Sequence, residues 1–389
     1  MTSKKLAIFQ QAIREEALEG WLFYNFHHRD PLSDELLGLS ADSTNSRPWF
    51  YVVPVHGQPV KIVHAIEDSI LDALPGCKIV YSGREKLRNA LESLTGKTLA
   101  AHVDSNLPVI SFLDAGTMQN LLEAGIRIKS AAALIQRIKG LLSEDDLASH
   151  KRAAVALYEI VEETWKQVSE HFFANTPLYE GDLQNYILEG MTWRNLVTDH
   201  PPIVAAGPHA GNPHYEVTGK GSLIQKGELI QLDLWAKEAS ERSIYADISW
   251  VGFYGEEIPH PIQTMFQDLI DSRERALVFI NESLSSGVRP TGAEIDREVR
   301  KLLLDRGYEG AIKHRTGHGI DTECHGSGVN IDSVEFPDER KLLDGSCFSI
   351  EPGLYFSEYG FRTEIDVYIH QNQAFVSGKK RQFALLTPQ

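Results

Sequence analysis

Apolar residues recur along this chain with two periods, and the changes of period outline its elements. Near the start, Leu6, Phe9, Ile13 and Leu18 fall at helical spacing with charges between them, which predicts an amphipathic helix. Trp21-Leu22-Phe23-Tyr24 follows as an apolar strand. Residues 25–47 are polar and predict a solvated loop carrying His27, His28, Arg29 and Arg47. Beyond it the pattern predicts strands at 49–55 and 60–63, a helix near 67–74, a strand at 78–81 and a helix near 85–94. A strand at 99–103, a helix near 114–123 and a strand at 126–129 complete the run. Strands alternating with helices predict an α/β layer.

Residues 136–142 read as a junction, which divides the chain into domains of 1–139 and 140–389. Two domains also follow from length, since 389 residues exceed one ordinary core. Ser143-Glu144-Asp145-Asp146 predicts a helix start with acids in its first turn; the helix runs to about 173. A second helix covers 182–194, and residues 203–253 are rich in strands. Two more helices follow, one over 262–284. The other opens on the capping box Thr291-Gly292-Ala293-Glu294 and ends near 306. Strands carrying Glu351 and Glu364 close the chain. There is no tandem repeat.

Composition narrows the class. The chain is 42% hydrophobic and 24% charged, as soluble globular proteins are. Its net charge of −16 (38 basic against 54 acidic residues) argues against nucleic acid and anionic membranes as partners. No apolar run reaches the length of a membrane span, and no signal-peptide block opens the chain; the cytoplasm is the expected compartment. Three scattered cysteines, Cys77, Cys324 and Cys347, do not form a disulfide framework and fit a reducing compartment. Cys324 adjoins His325, but no other cysteine stands at ligand spacing, so it reads as a small buried thiol.

Against this background five residues stand out. They are Asp233 in Leu232-Asp233-Leu234, Asp247 in Ala246-Asp247-Ile248, His318 in Gly317-His318-Gly319, Glu351 in Ile350-Glu351-Pro352-Gly353, and Glu364 in Thr363-Glu364-Ile365. An acid inside an apolar strand is costly unless something compensates it. Strand alternation puts Gln231, Asp233 and Trp235 on one face and Tyr245, Asp247 and Ser249 on one face of the next strand. The polar linker 237–243 suggests a hairpin with both aspartates on the same side. Strand alternation also places Arg362, Glu364, Asp366 and Tyr368 along one side of the last strand. Taken singly, each residue has an ordinary explanation as a turn, edge or hydrogen-bonding group. Together, four carboxylates would balance two divalent cations, and their oxygens with one imidazole suit Mn²⁺, Co²⁺, Zn²⁺ or Fe²⁺.

These motifs resemble the creatinase/aminopeptidase superfamily of pita-bread metallopeptidases, on the side of Xaa-Pro aminopeptidase (aminopeptidase P) and prolidase. The resemblance covers the chain from about residue 142 onward and, loosely, the part before it. It implies a creatinase-like α/β domain followed by a pita-bread α+β catalytic domain. It implies two divalent ions per chain, Mn²⁺ first, held by Asp233, Asp247, His318, Glu351 and Glu364, with Asp247 and Glu364 bridging. The reaction implied is attack of a metal-bridging hydroxide on an Xaa-Pro amide, with Glu351 as proton shuttle. His325, seven residues after His318, and His214 in Pro213-His214-Tyr215 match histidines that face the substrate. His314, Arg362 and Tyr355 match positions of the proline-specific branch. The resemblance further implies a homodimer, in which the 26–47 loop of one subunit could reach the other's site.

Three departures bear on substrate. Trp235 stands where Gly is common. The two aspartates are 14 residues apart (247 minus 233), more than is usual. Ile248-Ser249-Trp250 replaces a common Thr-Arg stretch. They leave open an alternative, a same-fold metal-dependent hydrolase or lyase acting on a small molecule without proline.

Overall fold

The computed structural model describes residues 2–240, 242–378 and 380–389. The chain divides into two compact units, residues 1–138 and 139–389.

In the first unit, α1 (Ser3–Glu15) is capped by the Thr2 hydroxyl, which accepts from Lys5 N, and buries Phe9, Ala12 and Ile13. The sheet comprises β1 (Gly20–Asn25), β2 (Trp49–Pro54), β3 (Val60–His64), β4 (Cys77–Tyr81), β5 (Thr98–Ala101) and β6 (Arg127–Ser130). Its strand order is β4-β3-β2-β1-β5-β6. The central strands β1, β2 and β3 pair antiparallel and the outer ones join in parallel. Alternation along β1 separates two cores: Trp21 and Phe23 pack with Phe9, Trp49 and Tyr51, and Leu22 and Tyr24 with Phe50, Ile62 and Leu91. A sheet buried on both faces requires this near-continuous apolar run.

The structure corrects two expectations here. The polar stretch 25–47 contains a helix, α2 (Pro31–Leu37). Asp30 Oδ1 accepts from Ser33 N at 3.0 Å, Pro31 opens the first turn, and Gly38 closes it at φ 69°. These start and stop signals are local and outweigh the polar composition. Within the same stretch His28 binds Asp34 Oδ2 at 2.7 Å and Ser43 O at 2.6 Å, tying the loop to that helix. Conversely, residues 67–74 form successive turns rather than a helix. The Lys61 ammonium donates to the carbonyls of Leu71 (3.2 Å) and Leu74 (2.7 Å), which turn toward it. Helices α3 (Arg84–Glu92), α4 (Ala115–Glu123) and α5 (Ala132–Ile138) complete the unit; α5 occupies part of the expected junction.

In the second unit, Ser143 and Asp146 cap each other's backbone N–H groups and start α6 (Glu144–Ala174). Next come α7 (Glu180–Trp193), β7 (Leu196–Val197), β8 (Ile203–Ala206), β9 (Leu229–Glu238) and β10 (Ala246–Phe253). Both β7 and β8 pair antiparallel with β9. Leu157, Val161 and Val168 of α6 share a core with Leu232, Leu234, Ile248 and Trp250 of β9 and β10. Each such buried aliphatic contributes about 1.5–3 kcal/mol. The fit is tight at Gly252, where a Cβ would lie 1.9 Å from the Trp165 ring.

Helices α8 (His260–Ser285) and α9 (Gly292–Asp305) follow. The Thr291–Glu294 box is reciprocal: Thr291 N donates to Glu294 Oε2 at 2.8 Å and Glu294 N to Thr291 Oγ1 at 3.2 Å. The last strands are β11 (Cys347–Ile350), β12 (Gly353–Tyr355), β13 (Gly360–Arg362), β14 (Ile365–His370) and β15 (Gln373–Val376). β14 lies between β11 and β15, and β12 pairs with β13. Glu351 and Glu364 were expected inside strands. Instead each sits in a two-residue break, Glu351-Pro352 and Thr363-Glu364. Pro352 has no N–H to continue a ladder. Thr363 Oγ1 accepts from the buried Arg273 Nη1 of α8 at 2.7 Å, and Glu364 N donates across to Ser249 O of β10. Among the described residues no helix is long and apolar enough to cross a membrane.

Candidate metal centre

The hairpin β9–β10 sets the frame of the site. Its register opposes Asp233 to Ser249 and Trp235 to Asp247, so both aspartates share one face. The Ser249 hydroxyl lies 2.8 Å from Asp233 Oδ1 and 2.9 Å from Glu364 Oε2, one proton between two carboxylates. Behind them, Asp366 Oδ2 accepts from Asp247 N at 2.8 Å.

The remaining donors arrive from the 316–318 loop and the 349–351 strand end. Ser349 N donates to His318 O and Glu351 N to Thr316 O. Gly317 makes this approach possible, since a Cβ there would stand 2.0 Å from Ser349 O. His318 Nδ1 lies 3.3 Å from Gly319 O and takes the proton. Nε2 therefore presents a lone pair, yet it faces Asp247 Oδ2 and Glu351 Oε1, both at 3.5 Å.

Arg362, at the end of β13, organises the carboxylates from one side. Its Nη2 pairs with Asp233 Oδ2, its Nε donates to Ser249 Oγ at 3.1 Å, and its Nη1 donates to the Tyr355 hydroxyl at 2.9 Å. Tyr355 in turn donates to His314 Nε2 at 2.7 Å, because His314 Nδ1 is engaged with Arg315 O. Burial pushes the His314 pKa down to about 3, which keeps that ring neutral and able to accept.

Such a group of anions does not stand alone. Burial, then the neighbouring carboxylate charges, pushes Asp247 and Glu364 well above the usual carboxylate range. Burial also lowers His318, although acids surround it. Asp247 Oδ1 and Glu364 Oε1 are buried without any hydrogen-bond partner. Orphaned carboxylate oxygens beside an outward imidazole lone pair are what divalent cations satisfy. The donors fit: Asp233, Asp247 and Glu364 form one group, His318, Glu351 and Glu364 a second, and Asp247, His318 and Cys324 a third, each with ligand atoms within 4.8 Å of one another.

The other residues singled out in the sequence lie at different ranges. The His325 ring sits 4.3 Å from that of His318; the electrostatic interaction with that neighbouring imidazole, then desolvation, lowers its pKa to about 4. Trp235 Nε1 donates to Asp199 Oδ1 at 2.6 Å, and its ring packs beside Ile244, Tyr245, Ile320, Cys324 and Cys347. His214 is exposed, with its backbone N–H on Asn212 Oδ1. Among the described residues its side chain makes no hydrogen bond to the five donors. Two participants were not singled out as site residues. Cys324 Sγ donates to Asp247 Oδ2 at 3.0 Å. Glu180, buried at the start of α7, accepts from Tyr215 OH, the neighbour of His214; it lies before the 182–194 helix expected from the sequence, and nothing in its local pattern singles it out.

Known proteins resemble this chain in sequence and in fold. The sequence is similar to an Xaa-Pro dipeptidase of Lactobacillus delbrueckii subsp. lactis, 32% identical over 170 residues, covering 43% of this chain and 42% of that enzyme. It is similar over a longer span to a probable dipeptidase PepE of Mycobacterium bovis, 23% identical over 346 residues, 87% of this chain and 85% of the relative. The fold is similar to the crystal structure of dipeptidase PepE from Mycobacterium ulcerans, with a TM-score of 0.70 at 22% identity over 99% of this chain and 97% of the other. It is also similar to recombinant prolidase from Thermococcus sibiricus, with a TM-score of 0.61 at 21% identity over 100% and 99% of the two chains. These neighbours share the pita-bread architecture of mixed sheets and helices. Residues 147–371 match metallopeptidase family M24. That match spans more than half of the 389 residues, and the chain belongs to metallopeptidase family M24.

Proposed function

We propose that this metallopeptidase is a dinuclear-metal enzyme of the prolidase or aminopeptidase P type, cleaving Xaa-Pro bonds with the unit of residues 139–389. The observation that carries the reading is the cluster of Asp233, Asp247, His318, Glu351 and Glu364, with two orphaned carboxylate oxygens at its centre. Asp247 and Glu364 would bridge two cations, Asp233 would complete one site, and His318 and Glu351 the other. These five donors suit Mn²⁺, Co²⁺, Zn²⁺ or Fe²⁺, and the family resemblance puts Mn²⁺ first. When bound, the pair supplies Lewis acidity, polarising the scissile carbonyl and acidifying a water.

The chain's own groups do the rest. The half-buried Glu351 carboxylate takes the water's proton and delivers it to the departing nitrogen. His325, neutral at its lowered pKa, donates one ring N–H to the substrate carbonyl, and His214 donates to the oxyanion that forms there. The Arg362–Tyr355–His314 chain fixes Asp233 in position. A homodimer in the cytoplasm completes the reading, with peptide rather than nucleic acid or membrane as partner.

Proline specificity is supported by the Xaa-Pro dipeptidase relative. Trp235, opposite Asp247 in the hairpin, favours a second reading in which the same chemistry acts on a substrate without proline. Metal-loaded protein assayed with an Xaa-Pro dipeptide, a longer Xaa-Pro peptide and a dipeptide lacking proline decides. Turnover of either Xaa-Pro substrate is expected. Turnover of the third alone would transfer the case to the second reading, and turnover of none would refute both peptide readings.

A further inference from the structure

Cys324 stands outside the five donors, yet it meets them. It is buried and free of any disulfide, and its Sγ donates to Asp247 Oδ2. Cys324, Asp247 and His318 each place a ligand atom within 4.8 Å of the others. Two further observations point to a cation. Asp247, 5% exposed, keeps Oδ1 without a partner. The His318 Nε2 lone pair faces the same carboxylate at 3.5 Å.

We propose that Asp247, His318 and Cys324 together bind a thiophilic divalent cation, Zn²⁺, Co²⁺ or Cd²⁺, so that this chain adds a thiolate to the oxygen-and-imidazole set. The inference rests on the metal-centre reading and sharpens which metal the centre prefers. A soft sulfur raises affinity for Zn²⁺ over Mn²⁺, which favours oxygen. On ligation the Sγ–H bond breaks, its proton passes to solvent, and the electron pair left on sulfur forms the bond to the ion. The apolar walls formed by Ile244, Tyr245, Ile320 and Cys347 shield that bond from water.

Cobalt-loaded protein provides the test. A near-ultraviolet sulfur-to-cobalt charge-transfer band is expected in the wild type and in Cys347→Ser, and its loss in Cys324→Ser. A wild type without the band, or a Cys324→Ser variant that keeps it, overturns the proposal. In competition between Zn²⁺ and Mn²⁺, Cys324→Ser and Cys324→Ala should lower the affinity ratio by roughly 10-fold or more, the scale that side chains around metals carry; an unchanged ratio overturns it. Should neither variant fold, X-ray absorption of the zinc-loaded wild type reads the bond directly. A sulfur at about 2.3 Å supports the site, and only nitrogen and oxygen neighbours refute it. Peptidase turnover is scored separately. Turnover without sulfur ligation sinks this inference alone, and sulfur ligation without turnover sinks only the peptidase reading.

Discussion

Glu180 and Glu364 are both buried glutamates of the same unit, and their surroundings are opposite. Glu180 Oε1 accepts from Ala206 N at 2.8 Å and lies 2.9 Å from His209 Nδ1; Oε2 accepts from Ser222 N at 2.7 Å and Tyr215 OH at 2.8 Å. Every lone-pair direction has a use. Glu364 shares one serine hydroxyl with Asp233 and leaves Oε1 bare. Asp366 shows a third solution. Burial, then the Asp247 charge, raises its pKa well above the usual range; its Oδ2 accepts from Asp247 N, while its Oδ1, like one oxygen each of Asp247 and Glu364 at the site, has no hydrogen-bond partner. Glu180, which holds the fold, is completed by the protein. Asp247 and Glu364, clustered with further acids and an imidazole lone pair, keep oxygens that the protein leaves open, as the proposed ions require.

The sharpest way to break this contrast is to neutralise each kind. Asp247→Asn or Glu364→Gln should lower peptidase kcat/KM by roughly 1,000-fold or more, about 4 kcal/mol in the barrier. The metal-free form of Glu364→Gln should nonetheless melt above the metal-free wild type, because a like charge has gone from the cluster. A lower melting temperature there would mean that the protein itself completes Glu364. Glu180→Ala should behave the other way. It strands several buried donors at once and should cost about 3 kcal/mol or more in denaturant unfolding, equally with and without metal. A cost that vanished on metal removal would contradict a purely structural Glu180.

Acidity sharpens the same point. The folded pKa values of Asp247 and Glu364 lie above their unfolded values, so the folded metal-free protein holds extra protons. Their contribution to stability is fully present below about pH 4 and is lost as pH rises through the raised folded values, at up to about 1.4 kcal/mol per pH unit for each group. Added cation should reverse the trend, because binding releases those protons and strengthens with pH. Unfolding midpoints from pH 4 to 8, with and without metal, check both signs. The smallest expected effect belongs to Arg362→Lys, which keeps the charge but loses the fork to Asp233, Ser249 and Tyr355. Metal affinity by calorimetry should fall about 10-fold.

What could be read from the sequence was local or periodic. The caps at Ser143 and Thr291 and the shared face of Asp233 and Asp247 follow from neighbours within one element. Helix α2 was missed because a polar composition masked the Asp30-Pro31 start and the Gly38 stop. Residues 67–74 were misread because the Lys61 ammonium, from an adjacent strand, claims their carbonyls. The breaks at Glu351 and Glu364 depend on Pro352 and on Arg273, far away in α8. The meeting of Cys324 with Asp247 spans 77 residues. No local pattern announces it, and from sequence Cys324 was no more than a small buried thiol.

Metal stoichiometry tests the central claim most directly. Equilibrium dialysis of the wild type against divalent cation, followed by elemental analysis, should find two ions per chain, with proton release on binding and loss of bound metal in Asp247→Asn and Glu364→Gln. A wild type that binds none, or variants that retain both ions, would contradict the account.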